Sequence, residues 1–152
     1  MMGNPYVQKE VSKIIEEFEY PKNLAMASAW IMANFKGINL KIYDSKESTS
    51  LCDYNIIGSA ENTIQAKAMV DEIEEALKNG GAKVLSLEGL SDGEWILLDM
   101  GDVIVHVFQE QSRDYFDLDS LWEDQDQLEI PQEYYFSKQE EIKKSDNTEN
   151  YF

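Results

Sequence analysis

EWILLDMGDVIVHVF, residues 94–108, decides how this chain is read. It alternates apolar and other residues on both sides of a glycine, the pattern of two short strands joined by a tight turn. If Met100-Gly101 is the two-residue turn, Asp99 lies opposite Asp102, Leu97 opposite Ile104 and Trp95 opposite His106. One face then carries Trp95, Leu97, Asp99, Asp102, Ile104 and His106, with Phe108 beyond. The other carries Ile96, Leu98, Val103, Val105 and Val107, all aliphatic and suited to packing under helices. The aliphatic face reads as core, which leaves the Trp/His/Asp face to be explained. Trp95 fits a partly buried core residue and a binding anchor equally well. Two carboxylates directly opposite one another repel, so the Asp99/Asp102 pair points either to a cation or lysine between them or to backbone capping of the turn. His106, the chain's one histidine, reads as a hydrogen-bonded structural residue rather than a catalyst.

Working upstream, Val7, Val11, Ile14, Ile15 and Phe18 share a helical face, which predicts an amphipathic helix over 6–19. Residues 21–37 form a second helix, opened by Pro21, closed by Gly37 and apolar nearly all round, so it needs cover on more than one side. INLKIYD (38–44) and DYNIIGS (53–59) read as strands. A helix follows over about 62–78, capped by Asn62 or Ser59 and ended by Gly80-Gly81. KVLSLEG, EWILLDM and DVIVHVF are three further strands. The order predicts an α/β fold with a single mixed β-sheet of about five strands packed with helices. Downstream, SRDYFDLDSLW (112–122) has Tyr115, Leu118, Leu121 and Trp122 at helical spacing, enough for one or two turns folded back onto the body. The expected organisation is an N-terminal helical extension over 1–20, an α/β domain over 21–131 and a polar, flexible tail over 132–152.

Charge and composition narrow the function. Thirty acidic residues against thirteen basic ones give a formal charge of −17, and Arg113 is the one arginine. Residues 109–131 hold eight acids against that arginine. Such a surface repels phosphate, which argues against sequence-specific nucleic-acid binding and for a cationic partner. The single Cys52 excludes an internal disulfide and a thiolate-rich metal site. No basic-then-apolar leader opens the sequence, and no apolar run approaches the roughly 18 residues that span a bilayer. A soluble cytoplasmic protein without membrane contact is the expectation.

Catalytic chemistry finds few residues. One histidine cannot build a hydrolytic metal site, and Ser59, Ser86 and Cys52 have no second histidine to activate them. Gly58-Ser59 after a strand suggests a nucleotidyltransferase-like start, yet the following strand KVLSLEG has no Asp-x-Asp pair for Mg²⁺. No glycine-rich phosphate loop is present. The expectation is no catalytic residue, no metal and no cofactor. A nucleotide-binding or nucleotidyltransferase-like enzyme using Gly58-Ser59 with Asp99 and Asp102 stays as the alternative, and a homodimeric scaffold with Trp95 at its own interface as a third reading.

EGLSDGEWILLDMGDVIVHVFQEQSRDYFDLDSLW closely resembles the signature of the ribosomal silencing factor family, also called RsfS or Iojap-like. CDYNIIGSAENTIQAKAMVDEIEEALKNGGAK resembles it more loosely, and the likeness covers about residues 22–123. The resemblance implies a nucleotidyltransferase-like fold without catalytic acids. It further implies binding to the large ribosomal subunit through that subunit's fourteenth protein, obstruction of small-subunit joining under nutrient limitation, and a homodimer when free. Carried over by motif, the partner-binding residues are Trp95 and Met100, supported by Asp99, Asp102 and Arg113. The chain departs from the family at Asn55, where the family is usually apolar, and at Ala60 and Asn62. The family's Arg-x-x-Tyr becomes Arg113 to Phe116, with Tyr115 one place earlier.

Overall fold

The structure, a computed structural model, describes residues 4–136. Helix α1 (Pro5–Glu17) starts where the Asn4 side chain accepts from the backbone N–H of Tyr6 and Val7, and it buries Val7, Val11 and Ile14. Helix α2 (Lys22–Asn34) is buried at every position from Asn23 to Asn34. Ser28 donates to the Leu24 carbonyl at 2.8 Å and Asn34 to that of Trp30 at 2.9 Å, both within the helix, while Asn23 Nδ2 reaches out to the Ile15 carbonyl of α1 at 3.2 Å. The cover that its apolar sequence demands comes from α1, from α3 (Thr63–Asn79) and from the sheet. Asn62 is the residue that caps α3, accepting from Gln65 N–H at 2.8 Å.

Six strands form one mixed sheet: β1 (Ile38–Asp44), β2 (Tyr54–Ala60), β3 (Ser86–Glu88), β4 (Trp95–Asp99), β5 (Val103–Gln109) and β6 (Gln127–Leu128). Their order across the sheet is β3-β4-β5-β2-β1-β6. The sixth is the short β6, which pairs antiparallel with Ile42 and Tyr43 at the edge. β2 and β5 run parallel at the centre, and the other pairs are antiparallel. Helices α2 and α3 cover the face built from Leu40, Ile42, Ile56, Ile96, Leu98, Val105 and Val107, which includes the aliphatic face of the hairpin, and α1 packs outside them. On the opposite face lie α4 (Glu110–Phe116) and α5 (Leu118–Leu121), with a smaller cluster of Tyr43, Ile57 and Phe108 beneath Trp95, Leu118 and Trp122. The left-handed backbone of Asp117 (φ 52°), a conformation aspartate tolerates better than most residues, makes the sharp turn between these two helices.

The hairpin register differs from the sequence expectation. Trp95 pairs with Phe108, Leu97 with His106 and Asp99 with Ile104, so the turn is Gly101-Asp102 and not Met100-Gly101. The Met100 N–H bonds the Val103 carbonyl at 2.9 Å, one rung further toward the turn than expected. Gly101 adopts φ 89° at the first turn position, which glycine does without steric penalty. Because the slip is two residues, every side chain keeps its face, but Asp99 and Asp102 no longer oppose each other.

The fold continues past Pro131. Tyr134 is buried in the main core and its carbonyl lies 3.4 Å from Asn34 Nδ2, while Leu128, Ile130 and Tyr135 pack against the same core. The tail expected over 132–152 is thus packed at its first residues, and 137–152 lie outside the described residues.

Gly89 shows how tightly β4 is held. It sits at φ 88°, and a Cβ there would collide with the Trp95 carbonyl oxygen. Gly89→Ala is expected to destabilise the protein by at least ~2 kcal/mol, from left-handed strain plus the clash, as a lowered midpoint in urea unfolding. An unchanged midpoint would show that the 89–95 approach is looser than described.

Candidate docking face

Strand alternation places Trp95, Leu97, Asp99, Ile104, His106 and Phe108 on the sheet face opposite α1 to α3. Trp95 is partly buried. Its ring stacks on Phe108 at 5.0 Å between centroids and 23°, and meets Phe116 of α4 at 4.9 Å and 49°. Its indole N–H donates to His106 Nδ1 at 3.2 Å.

That bond settles the role of His106. Since Nδ1 accepts, the proton sits on Nε2, which donates to Asn55 Oδ1 at 2.9 Å. Asn55 Nδ2 donates in turn to Ser45 Oγ at 3.0 Å and lies 3.3 Å from Cys52 Sγ, and the Ser45 hydroxyl donates to Gln125 Oε1 at 2.7 Å. Burial of the imidazole holds its pKa down at about 4, so the ring is neutral near pH 7. Trp122 lies edge-on to His106 at 5.3 Å and to Tyr43 at 5.2 Å. Asn55, out of place in a strand of apolar residues, is therefore the partner that satisfies the second ring nitrogen. Its polarity in an apolar strand was the available signal, but its distance from His106 in sequence hid the pairing.

Arg113 is turned inward and only 4 % exposed. Nε and Nη2 grip the two Asp119 oxygens at 2.8 and 3.2 Å, and Nη1 donates to the Asn39 carbonyl at 2.7 Å and to Ser59 Oγ at 3.1 Å. Burial raises the Asp119 pKa, but hydrogen bonds from Arg113 and Tyr43 and the charges of Arg113 and Lys41 outweigh it and bring it to about 2. This clasp ties α5 to the sheet and so seats Leu118 and Trp122. Asn39 exposes its carbonyl to the clasp through a bulge in β1 (φ 55°).

The remaining expected site residues are spread differently. Met100 is 4 % exposed and belongs to the main core, so its side chain is not at the surface. The Asp99 carboxylate caps the turn, accepting from Gly101 N–H at 2.8 Å, and exposed Asp102 accepts from the Tyr20 hydroxyl at 2.9 Å. The capping alternative therefore describes Asp99, and no facing carboxylate pair exists to hold a cation between them. Gly58 and Ser59, the residues of the enzyme alternative, lie inside β2: Ser59 is 2 % exposed, and Leu40 and Met32 fill the space beside Gly58. Among the described residues no group of three His, Cys, Asp or Glu could hold a metal ion, and no helix is long and apolar enough to cross a membrane.

Several large apolar side chains remain at the surface of this side, among exposed acids. Tyr115 is 82 % and Leu121 72 % exposed, Phe116 about half so, and Leu51 lines a cleft of about 500 Å³ with Ile104, Leu121 and Trp122. Tyr115 and Leu121, which the helical spacing placed against the body, face outward, while Leu118 and Trp122 pack inward.

The family described as "Ribosomal silencing factor during starvation" matches residues 19–151. The chain belongs to that family. The ribosomal silencing factor RsfS of Chromobacterium violaceum is 35 % identical over 91 residues, 60 % of this chain and 75 % of that protein. The RsfS of Bacillus subtilis is 35 % identical over 81 residues, 53 % of this chain and 69 % of that protein. A crystal structure of a C. violaceum protein superposes with a TM-score of 0.61 at 31 % identity, covering 78 % of this chain and 88 % of that one. The RsfS match begins after α1, so the first helix is joined to the family domain through shared core and not through the matched segment.

Two outcomes follow from the buried groups. Arg113→Ala removes every bond of the clasp and is expected to destabilise by about 3 kcal/mol in denaturant unfolding, because Asp119 loses its principal partner. His106 refuses a proton that the unfolded chain accepts below pH 6.5, so it adds stability that is complete above 6.5 and falls away toward pH 4. Between pH 7 and 5 wild type should lose about 2 kcal/mol more than His106→Gln in paired urea titrations. Equal pH slopes would contradict a buried neutral imidazole.

Proposed function

We propose that the chain silences ribosomes by steric exclusion: it docks on the large ribosomal subunit through that subunit's fourteenth protein and blocks the small subunit from joining, repressing translation under nutrient limitation. Membership of the silencing-factor family supports the ribosomal partner. The observation that carries the placement is Trp95, an aromatic side chain left partly open on a face that α4 and α5 cover incompletely, with exposed Phe116 against it. Large aromatics framed by other apolar groups are the residues that carry binding energy at protein interfaces. Asp99 and Asp102 stand at the turn end of that face. Met100 and Arg113 support it from inside, Met100 from the core beneath the hairpin and Arg113 through the Asp119 clasp.

Electrostatics favours a basic protein over bare RNA. Asp114, Asp117, Glu123 and Asp124 are all exposed on the α4–α5 side, within a chain of net charge −17. No step of this mechanism needs chemistry, a metal or a cofactor; the bulk of a folded domain is enough. The cytoplasm is the expected location. The free protein is expected to be a homodimer, and the same apolar face is a candidate for that contact. A monomeric Trp95→Ala in light scattering would assign the face to self-association.

Trp95→Ala should weaken binding to isolated large subunits by about 2 kcal/mol, roughly 30-fold, in co-sedimentation with separated subunits. Equal binding by wild type and variant would remove Trp95 from the interface. For the enzyme alternative, calorimetry with Mg²⁺ and nucleoside triphosphates should register no binding. Micromolar uptake that is lost in Asp99→Asn would overturn the steric reading.

A further inference from the structure

We infer that His106 and Asn55 are positioning residues for docking: they hold the Trp95 indole in one orientation with its single polar atom already bonded. The partner therefore meets an apolar ring edge that asks for no hydrogen-bond acceptor. The inference rests on the proposed role of Trp95 and adds how that residue is prepared for contact.

The hydrogen-bond directions leave no freedom along this chain. An indole N–H can only donate, so His106 Nδ1 at 3.2 Å must accept, and Nε2 must carry the proton. The nearest acceptor to Nε2 is Asn55 Oδ1 at 2.9 Å, which fixes the orientation of the amide and turns its Nδ2 toward Ser45 Oγ at 3.0 Å. Ser45 then passes its own proton to Gln125 Oε1 at 2.7 Å. Five side chains from β4, β5, β2 and the segments after β1 and α5 thus form one donor sequence running away from Trp95. Phe108 and Phe116 hold the same indole by ring contact at 5.0 and 4.9 Å, and Trp122 closes over the imidazole at 5.3 Å.

Such restraint matters for binding. A partly exposed tryptophan that rotates freely must be ordered when a partner arrives, and an indole N–H that loses water without a new acceptor opposes association. Here both are dealt with before the encounter. His106 is 5 % and Asn55 6 % exposed, so they offer a partner little surface of their own, and the Trp95 indole resonance reports whether an effect on docking passes through that ring.

The test uses the full chain and isolated large subunits. His106→Phe keeps an aromatic ring but removes both polar ends. It is expected to lower affinity about tenfold and to move the Trp95 indole ¹⁵N–¹H resonance out of its hydrogen-bonded position. His106→Gln can accept from Trp95 and donate to Asn55, so it should restore affinity to within about threefold of wild type and return the resonance toward its place. Should His106→Phe fail to fold, Asn55→Leu breaks the second link alone and should show the same two changes to a smaller degree. Wild-type affinity in His106→Phe, or in Asn55→Leu where that variant is needed, would overturn the positioning role while Trp95→Ala still weakens binding. Equal losses in His106→Phe and His106→Gln would also overturn it, because packing and not the hydrogen bonds would then be responsible. If Trp95→Ala itself binds normally, the docking reading fails and this inference with it.

Discussion

The parallel pairing of β2 with β5 is the constraint on which the rest of the molecule depends. All seven residues of β2 are buried, and five of the seven in β5, so this pair must be covered on both faces. A parallel pair cannot be closed by a hairpin, and the chain between them makes the crossover through α3, β3 and β4. Helices α2 and α3 supply one cover, with α1 packed outside them. The other is thinner, two short helices held down by Arg113, and it leaves Trp95 and its neighbours partly open. Burial also imposes a polar demand. Asn55 and His106 lie inside the pair's second face and bond each other, with Trp95 and Ser45 satisfying their remaining polar atoms. The candidate docking face is in this sense a by-product of an incomplete lid over a largely buried strand pair.

The part of this architecture that follows local rules was legible in the sequence. Helical periodicity found α1, α2 and α3, and strand alternation sorted the hairpin into its aliphatic and mixed faces. The register was not, because Met100-Gly101 and Gly101-Asp102 are both acceptable glycine turns and differ only in which rung closes. The shift of two residues preserved the faces yet separated Asp99 from Asp102, since Asp102 is itself a turn residue. Met100 and Arg113 were legible as important but not as buried. A methionine beside a turn and the sole arginine of an acidic chain both read as surface residues until long-range partners are known. Those partners, Asp119 and the carbonyl that the β1 bulge presents, depend on tertiary contacts across 6 and 74 positions. The network through Asn55 was hidden for the same reason, its link to His106 spanning 51 positions.

Family and structure together change what the mixed face means. Trp, His and two Asp on adjacent strands resemble the beginnings of an active site when read as a list of residues. In the folded protein the histidine is neutral and enclosed, one aspartate caps a turn, the other bonds a tyrosine, and Ser59 serves the arginine clasp. The buried polar groups stabilise the face, and its apolar rings lie partly outside, edged by exposed acids. That division suits a protein whose effect is to occupy a surface. Under the proposed docking, the acidic surface would draw a basic partner near and the uncharged rings would hold it.

The most direct test of this account is a subunit-joining assay in which purified large and small subunits are mixed with increasing amounts of the full chain and ribosome formation is followed by light scattering. The account predicts that joining falls in proportion to large subunits occupied, without nucleotide, metal or turnover, and that preincubation with small subunits alone has no effect. Undiminished joining at saturating occupancy of the large subunit would contradict steric exclusion.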